Sequence, residues 1–160
     1  VPSVFDAAAL ILRLASPLTP TRLHKLLYYC QGHHLAWDGV PLFPEELEAW
    51  ANGPVCHPLW VLHQRLDKVE SGRLPGDPNE LNLDQTETVS AVLEAYGHLD
   101  GHQLSIMTQQ ERPWLVARGS APPGQRHHLP IDLDVMRQFF SELIAGDESP
   151  STLGPGQVSP

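Results

Sequence analysis

Basic residues are scarce in this chain: Lys and Arg number 10 against 19 Asp and Glu, a formal charge of −9 over 160 residues. Affinity for phosphate backbones rests on clustered Lys and Arg, so nucleic acid is not an expected partner, and a basic protein surface suits this charge better. Long apolar runs are missing too. The longest, Ala7 to Leu12, falls far short of the roughly 20 residues that cross a bilayer, and the N-terminus lacks a signal peptide's basic region and cleavage site, so no membrane is expected and the cytoplasm is the expected compartment. Cysteine is limited to Cys30 and Cys56, and a chain of this length buries enough core to fold without staples, which predicts free thiols. No Gly-rich phosphate loop, Gly-x-Ser-x-Gly elbow, His-Glu-x-x-His or Cys-x-x-Cys pair occurs. No cofactor and no enzyme activity are therefore expected.

Proline and glycine are plentiful but gathered in Leu74–Asn79, Gly119–Pro130 and Gly146–Pro160, where they punctuate helices. The last cluster has almost nothing to bury, so the reading is one globular domain over residues 1–145 and a flexible tail over 146–160. Within the domain, Ser3 is placed to cap a first helix with Val4, Ala8, Ile11 and Ala15 inward, closed by Pro17 and Pro20. Thr19 or Thr21 opens a second, in which Leu23, Leu26, Leu27, Cys30, His34 and Trp37 share a face and Tyr28, Tyr29 and Leu35 widen it. Apolar residues on most of a helix circumference mark a central helix, and Gly32 inside it predicts close backbone packing. Gly39 ends it.

Val40 to Trp50 has room for one short β-hairpin between Val-Pro-Leu-Phe and Leu-Glu-Ala-Trp, with Gly53-Pro54 as a turn after it. A helix from Pro58 to Glu70 follows, with Leu59, Leu62, Leu66 and Val69 inward and Trp60 opposite. Asp84 and Glu87 have capping-box spacing ahead of Val89, Val92, Leu93 and Tyr96. Asp100-Gly101 breaks that helix. Shorter helices carry Leu104 and Met107 and begin at Pro113-Trp114, and a last one after Asp132 turns Val135, Met136, Phe139, Phe140 and Leu143 inward. The fold class is mostly α, a compact helical domain packed about the helix from Thr21 to Trp37.

Candidate sites come from the same stretch. Trp50, Gly53, Pro54, Val55 and Trp60, with Trp114 further on, form either a partner-binding platform or part of the core. Tyr28, Tyr29 and Trp37 are assigned to the core, Trp60 and Trp114 to the surface. For metal, Cys30 and His34 have one-face helical spacing and Cys56-His57 could complete a set, although no knuckle motif supports it. A core role for His34, bonded to a loop backbone group, is the simpler reading. Glu45, Glu46 and Glu48 look like an exposed acidic edge.

Three blocks resemble the Panacea domain of SocA-like and GepA-like proteins. The first is K-L-L-Y-Y-x-Q-G-x-H-L-A from Lys25, followed by P-L-F, A-W-x-x-G-P-V and Trp60. The second is Leu104 to Arg118, LSIMTQQERPWLVAR, and the third runs from Ile131 to Phe140. The resemblance covers roughly residues 3 to 143. Two positions depart from the family pattern: Cys56-His57, and Arg112, which stands where an acid commonly precedes Pro-Trp and would make a poor N-cap. The resemblance implies an antitoxin of a bacterial or phage toxin–antitoxin pair that neutralises its cognate toxin by direct binding. In the SocA branch it implies an adaptor that delivers the toxin to a Clp protease. A metal- or thiol-dependent enzyme and a DNA-binding autorepressor are the rival classes.

Overall fold

Short polar side chains mark where the elements begin in the computed structural model, which describes residues 1–147. Ser3 Oγ accepts from the Asp6 amide and the Asp6 carboxylate accepts from the Ser3 amide, a reciprocal box that starts α1 (Val4–Ala15). Thr19 caps α2 (Pro20–Asp38). Pro20 stands in its first turn, where a missing amide does no harm, and Gly39 closes it in a left-handed conformation at φ 79°.

α2 is buried without a break from Leu23 to Leu35. Around it pack α1, α4 (Leu83–Tyr96), α5 (Gly101–Gln109) and α7 (Leu133–Asp147), and α6 (Arg112–Arg118) leans on α7. Gly32 is where α7 comes closest: a Cβ there would lie 2.1 Å from Phe140 Cε2, so the ring rests on bare backbone. Phe140 meets Tyr28 and Tyr29 edge-on, with centroids 5.6 and 5.9 Å away. Trp37 departs from the core assignment. It is 46% exposed, because it stands in the last turn before Gly39, beyond the buried run, and leans on the His33 ring at 4.8 Å.

Among the described residues there are seven α-helices, one 3₁₀ turn (Pro78–Glu80) and one small hairpin. The hairpin pairs β1 (Glu48–Trp50) with β2 (Gly53–Val55), Glu48 opposite Val55 and Trp50 opposite Gly53. Val40 to Phe43 is left out of it because Gln31 of α2 takes that backbone instead. Its Oε1 accepts from the Leu42 amide at 2.7 Å and its Nε2 donates to the Phe43 carbonyl at 2.9 Å. Gly53-Pro54, read as a turn, lies in β2, and the turn is Ala51-Asn52. A two-stranded sheet is all edge, so Pro54 removes no needed ladder bond.

Other departures are equally local. α3 (His57–His63) stops well short of Glu70 and turns Leu59 and His63 inward, leaving Leu62 47% exposed. Val69 reaches the core by pairing with Leu18, amide to carbonyl in both directions at 3.0 and 2.7 Å. The box that opens α4 is Asn82 with Gln85, two residues before Asp84 and Glu87. Glu111 is the N-cap residue of α6, so Arg112 is its first helical residue and the expected poor cap does not arise. Glu45 Oε1 accepts from the Val4 amide at 2.8 Å and Glu48 Oε1 from the Trp50 indole at 2.8 Å, so of the supposed acidic edge Glu46 alone is exposed. No helix among the described residues is long and apolar enough to cross a membrane. α7 runs to Asp147, and the rest of the segment read as a tail lies outside the described residues.

Gly32→Ala should destabilise the fold by about 1–3 kcal/mol, since the clash with a buried ring outweighs the better helix propensity of Ala. Urea unfolding measures this, and Phe140→Leu in the same chain should recover part of the loss relative to Phe140→Leu alone.

Candidate functional site

The hairpin is held by three neighbours through its backbone. Lys25 Nζ of α2 donates to the Pro54 carbonyl at 3.2 Å. From α6, Trp114 Nε1 donates to the Trp50 carbonyl at 2.8 Å and Arg118 Nη1 to the Ala49 carbonyl at 3.0 Å. On the outer side, the Ala49 amide donates to the Leu129 carbonyl and the Ile131 amide to the Leu47 carbonyl. Gly53 has φ 122°, and a Cβ there would lie 2.7 Å from Lys25 Cε and 2.8 Å from Thr108 Oγ1, so only glycine lets β2 come down onto α2 and α5.

Against this support stands an aromatic cluster. Trp50 and Trp60 meet edge to face at 5.3 Å, His57 stacks on Trp60 at 5.9 Å, and His127 meets His57 at 4.6 Å. The Arg126 guanidinium lies 5.0 Å from the Trp50 ring centre and 5.4 Å from that of Trp60, within cation–π range of both. Its loop is tied down by Arg118, which also donates to the Pro122 and Gln125 carbonyls at 2.8 and 2.7 Å.

Between α2, the hairpin and α3 opens a cavity of about 320 Å³, with His24, Lys25 and His63 inside and Trp50, Trp60 and Arg126 at its sides. Lys25 is 2% exposed, and burial pulls its pKa down from 10.5 to about 8. His24 Nδ1 accepts from the Cys56 amide at 3.1 Å, and its Nε2 meets His63 Nε2 at 2.6 Å. Burial, then the charges of Lys25 and His63, hold the His24 pKa well below 6.5. Burial also lowers that of His63.

The six residues proposed for a partner surface are thus placed together but differently exposed. Gly53, Pro54 and Val55 are buried, Trp50 is 6% exposed, and Trp60 and Trp114 are half-buried. The metal alternative is dispersed. Cys30 and Cys56 are buried free thiols whose pKa values burial raises, that of Cys56 to about 12. His34 Nδ1 bonds the Thr88 hydroxyl of α4 at 2.9 Å, a side chain where loop backbone was expected. His98 and His102 have His-x₃-His spacing but straddle the junction of α4 and α5 and are exposed. Among the described residues no group of three or more His, Cys, Asp or Glu converges to hold a metal.

Sequence reasoning passed over Glu111, whose two carboxylate oxygens accept from the Tyr28 and Tyr29 hydroxyls, each at 2.9 Å, and so tie α6 to α2. It also passed over Arg126 and His63. A lysine in the middle of the central, buried helix was the available signal for the cavity, whereas Arg126 sits in a loop with no pattern at all.

Fold and site together define a small, mostly helical domain whose hairpin backs an aromatic, arginine-bearing face. The chain belongs to the SocA-like antitoxin family of Panacea domains: the family described as "Antitoxin SocA-like, Panacea domain" matches residues 23–115, from α2 into α6. That span contains the first block of resemblance and the second as far as Leu115, and leaves Ile131 to Phe140 outside it. No curated protein and no solved structure matches the chain.

Burial lifts the Glu111 pKa from 4.5 to about 7, with the two tyrosine hydroxyls opposing the rise. Between those values the folded state holds a proton that the unfolded state has released, so this group's contribution is full below about pH 4.5 and is lost as pH rises through about 7. The buried histidines act in the opposite sense, withdrawing stability as pH falls below 6.5. Unfolding free energies of the wild type and Glu111→Gln at pH 5 and pH 8 separate the two. The wild type should lose up to roughly 3 kcal/mol relative to the variant on going to the higher pH.

Proposed function

We propose that this chain neutralises a cognate toxin by direct binding, through the face that carries Trp60, the Ala51-Asn52 tip of the hairpin and the Arg126 loop. Family membership supplies the class of activity. The observation that supports the location is the environment of Trp60: a half-buried indole stacked on His57 and Arg126, followed on α3 by Val61, 46% exposed, and by the exposed Leu62. Trp and Arg dominate interface hot spots, and exposed aliphatic neighbours can exclude water around them. In this reading Gly53, Pro54, Val55 and Trp50 support the face from behind, and Trp114 locks the hairpin to α6, whose Leu115 and Val116 are exposed beside it in sequence. The action is binding rather than catalysis, and the raised thiol pKa values of Cys30 and Cys56 favour that, because a protonated, buried thiol is a poor nucleophile. The acidic surface would steer a basic toxin into encounter, which affects association rate more than affinity.

Trp60→Ala should weaken binding to the toxin encoded by the adjacent reading frame by about 2 kcal/mol or more, roughly thirtyfold, with a small change in melting temperature. Calorimetric titration and thermal unfolding of the same variant measure both, and growth of cells expressing the toxin reports the consequence. A folded Trp60→Ala chain that binds with unchanged affinity and still rescues growth would sink the assignment.

A further inference from the structure

We propose that the cavity between α2, the hairpin and α3 is a binding site for a carboxylate on a short apolar stem. Among the polar groups that line it, Lys25 and His63 are buried donors with capacity to spare, while Thr21, Asn52 and Gln64 are exposed at its rim. The Cys56 amide donates to His24 Nδ1, so that nitrogen carries no proton, and neutral His24 must carry its proton on Nε2. Nε2 faces His63 Nε2 at 2.6 Å and donates to it, which leaves the proton of neutral His63 on Nδ1. That Nδ1 is buried, on a side chain 3% exposed that lines the cavity, and meets no well-aligned acceptor, its own backbone being the one group near enough to take its proton. A fixed chain of amide, imidazole and imidazole therefore ends in an N–H that no other residue satisfies.

Lys25 adds charge. Its ammonium has three donors and hydrogen-bonds one acceptor, the Pro54 carbonyl, and no carboxylate lines the cavity. Among the described residues neither Lys25 nor Arg126 forms an ion pair. A buried cation without a counter-ion is costly, and one anion brought in beside it removes most of that cost. With both histidines neutral the interior carries a single buried positive charge, which matches a monoanion better than a phosphate dianion. The indoles of Trp50 and Trp60 offer apolar contact to a stem, and Arg126, held over both rings, stands where it can close over a carboxylate as a second, bidentate donor. About 320 Å³ holds a group the size of an acidic side chain or a small aromatic acid.

The carboxylate has two sources, an acidic side chain of a partner polypeptide or a free small acid. The first rests on the toxin-binding reading and the second does not. Heteronuclear NMR of the full chain, following the Trp50 and Trp60 indole N–H and the His63 ring nitrogens, is run with three probes: benzoate, the blocked tripeptide acetyl-Ala-Glu-Ala-amide, and inorganic phosphate. Saturable shifts at these positions with benzoate or the tripeptide, both stronger than with phosphate, are expected. A tighter tripeptide assigns the site to a partner chain, and a tighter benzoate to a small-molecule effector even if the toxin-binding face lies elsewhere. Lys25→Met should weaken binding by about tenfold or more, and Arg126→Gln, on an exposed loop that leaves the fold intact, by several-fold. No saturable shift with either carboxylate, a stronger response to phosphate, or unchanged affinity in Arg126→Gln together with a folded Lys25→Met would overturn the proposal.

Discussion

A helix buried on every side must find a partner for each polar atom it carries, and α2 carries many. Gln31 captures the backbone at Leu42 and Phe43, Lys25 holds Pro54, and His24 takes the Cys56 amide and meets His63. Tyr28 and Tyr29 share Glu111, and His34 finds Thr88. Each bond is individually modest, about 1 kcal/mol net, but leaving such a group unmet in the interior costs about 1–3 kcal/mol. The cheapest arrangement is the one in which the loop after α2, the hairpin, α3, α4 and α6 each dock where a polar atom of α2 waits. Apolar burial drives the collapse, and these atoms choose which neighbour goes where. Lys25 of α2 and His63 of α3 are incompletely met, and both line the same cavity.

The presentation of the outer face follows from the same economy. Residues 119–130 are rich in Pro and Gly, a composition that by itself would predict a loose loop. Arg118 prevents that by donating to carbonyls at Ala49, Pro122 and Gln125, so one buried guanidinium joins β1 to the loop and sets Arg126 and His127 against Trp50, Trp60 and His57. The loop residues of the proposed binding face are thus held by the same guanidinium that holds the hairpin, which would lower the ordering entropy lost on binding. The family match ends at residue 115 and omits α1 and α7, yet it is Phe140 of α7 that explains Gly32 within the matched span. A constraint visible in the family segment thus has its cause outside it.

Local rules visible in the amino-acid sequence were enough for much of this architecture. Ser3 caps α1, Gly39 ends α2, Gly32 marks a close approach, and apolar residues over most of the helix circumference announce the central helix, because capping, left-handed termini and periodicity act within a few residues. The block from K-L-L-Y-Y-x-Q-G-x-H-L-A through P-L-F and A-W-x-x-G-P-V to Trp60, with two weaker blocks after it, also pointed to the family. What only the tertiary structure decided are the pairings across long separations. Val40 to Phe43 has strand-like composition, but Gln31 claims its backbone. Leu62 has the right spacing for the core, but the meeting of His63 with His24 turns α3 the other way. Glu111 and Arg126 became visible only when they arrived beside Tyr28 and Tyr29 and over Trp50 and Trp60. The physical reason is that a hydrogen bond or a cation–π contact depends on distances of a few ångströms, which the order of residues along the chain does not carry until the helices have packed.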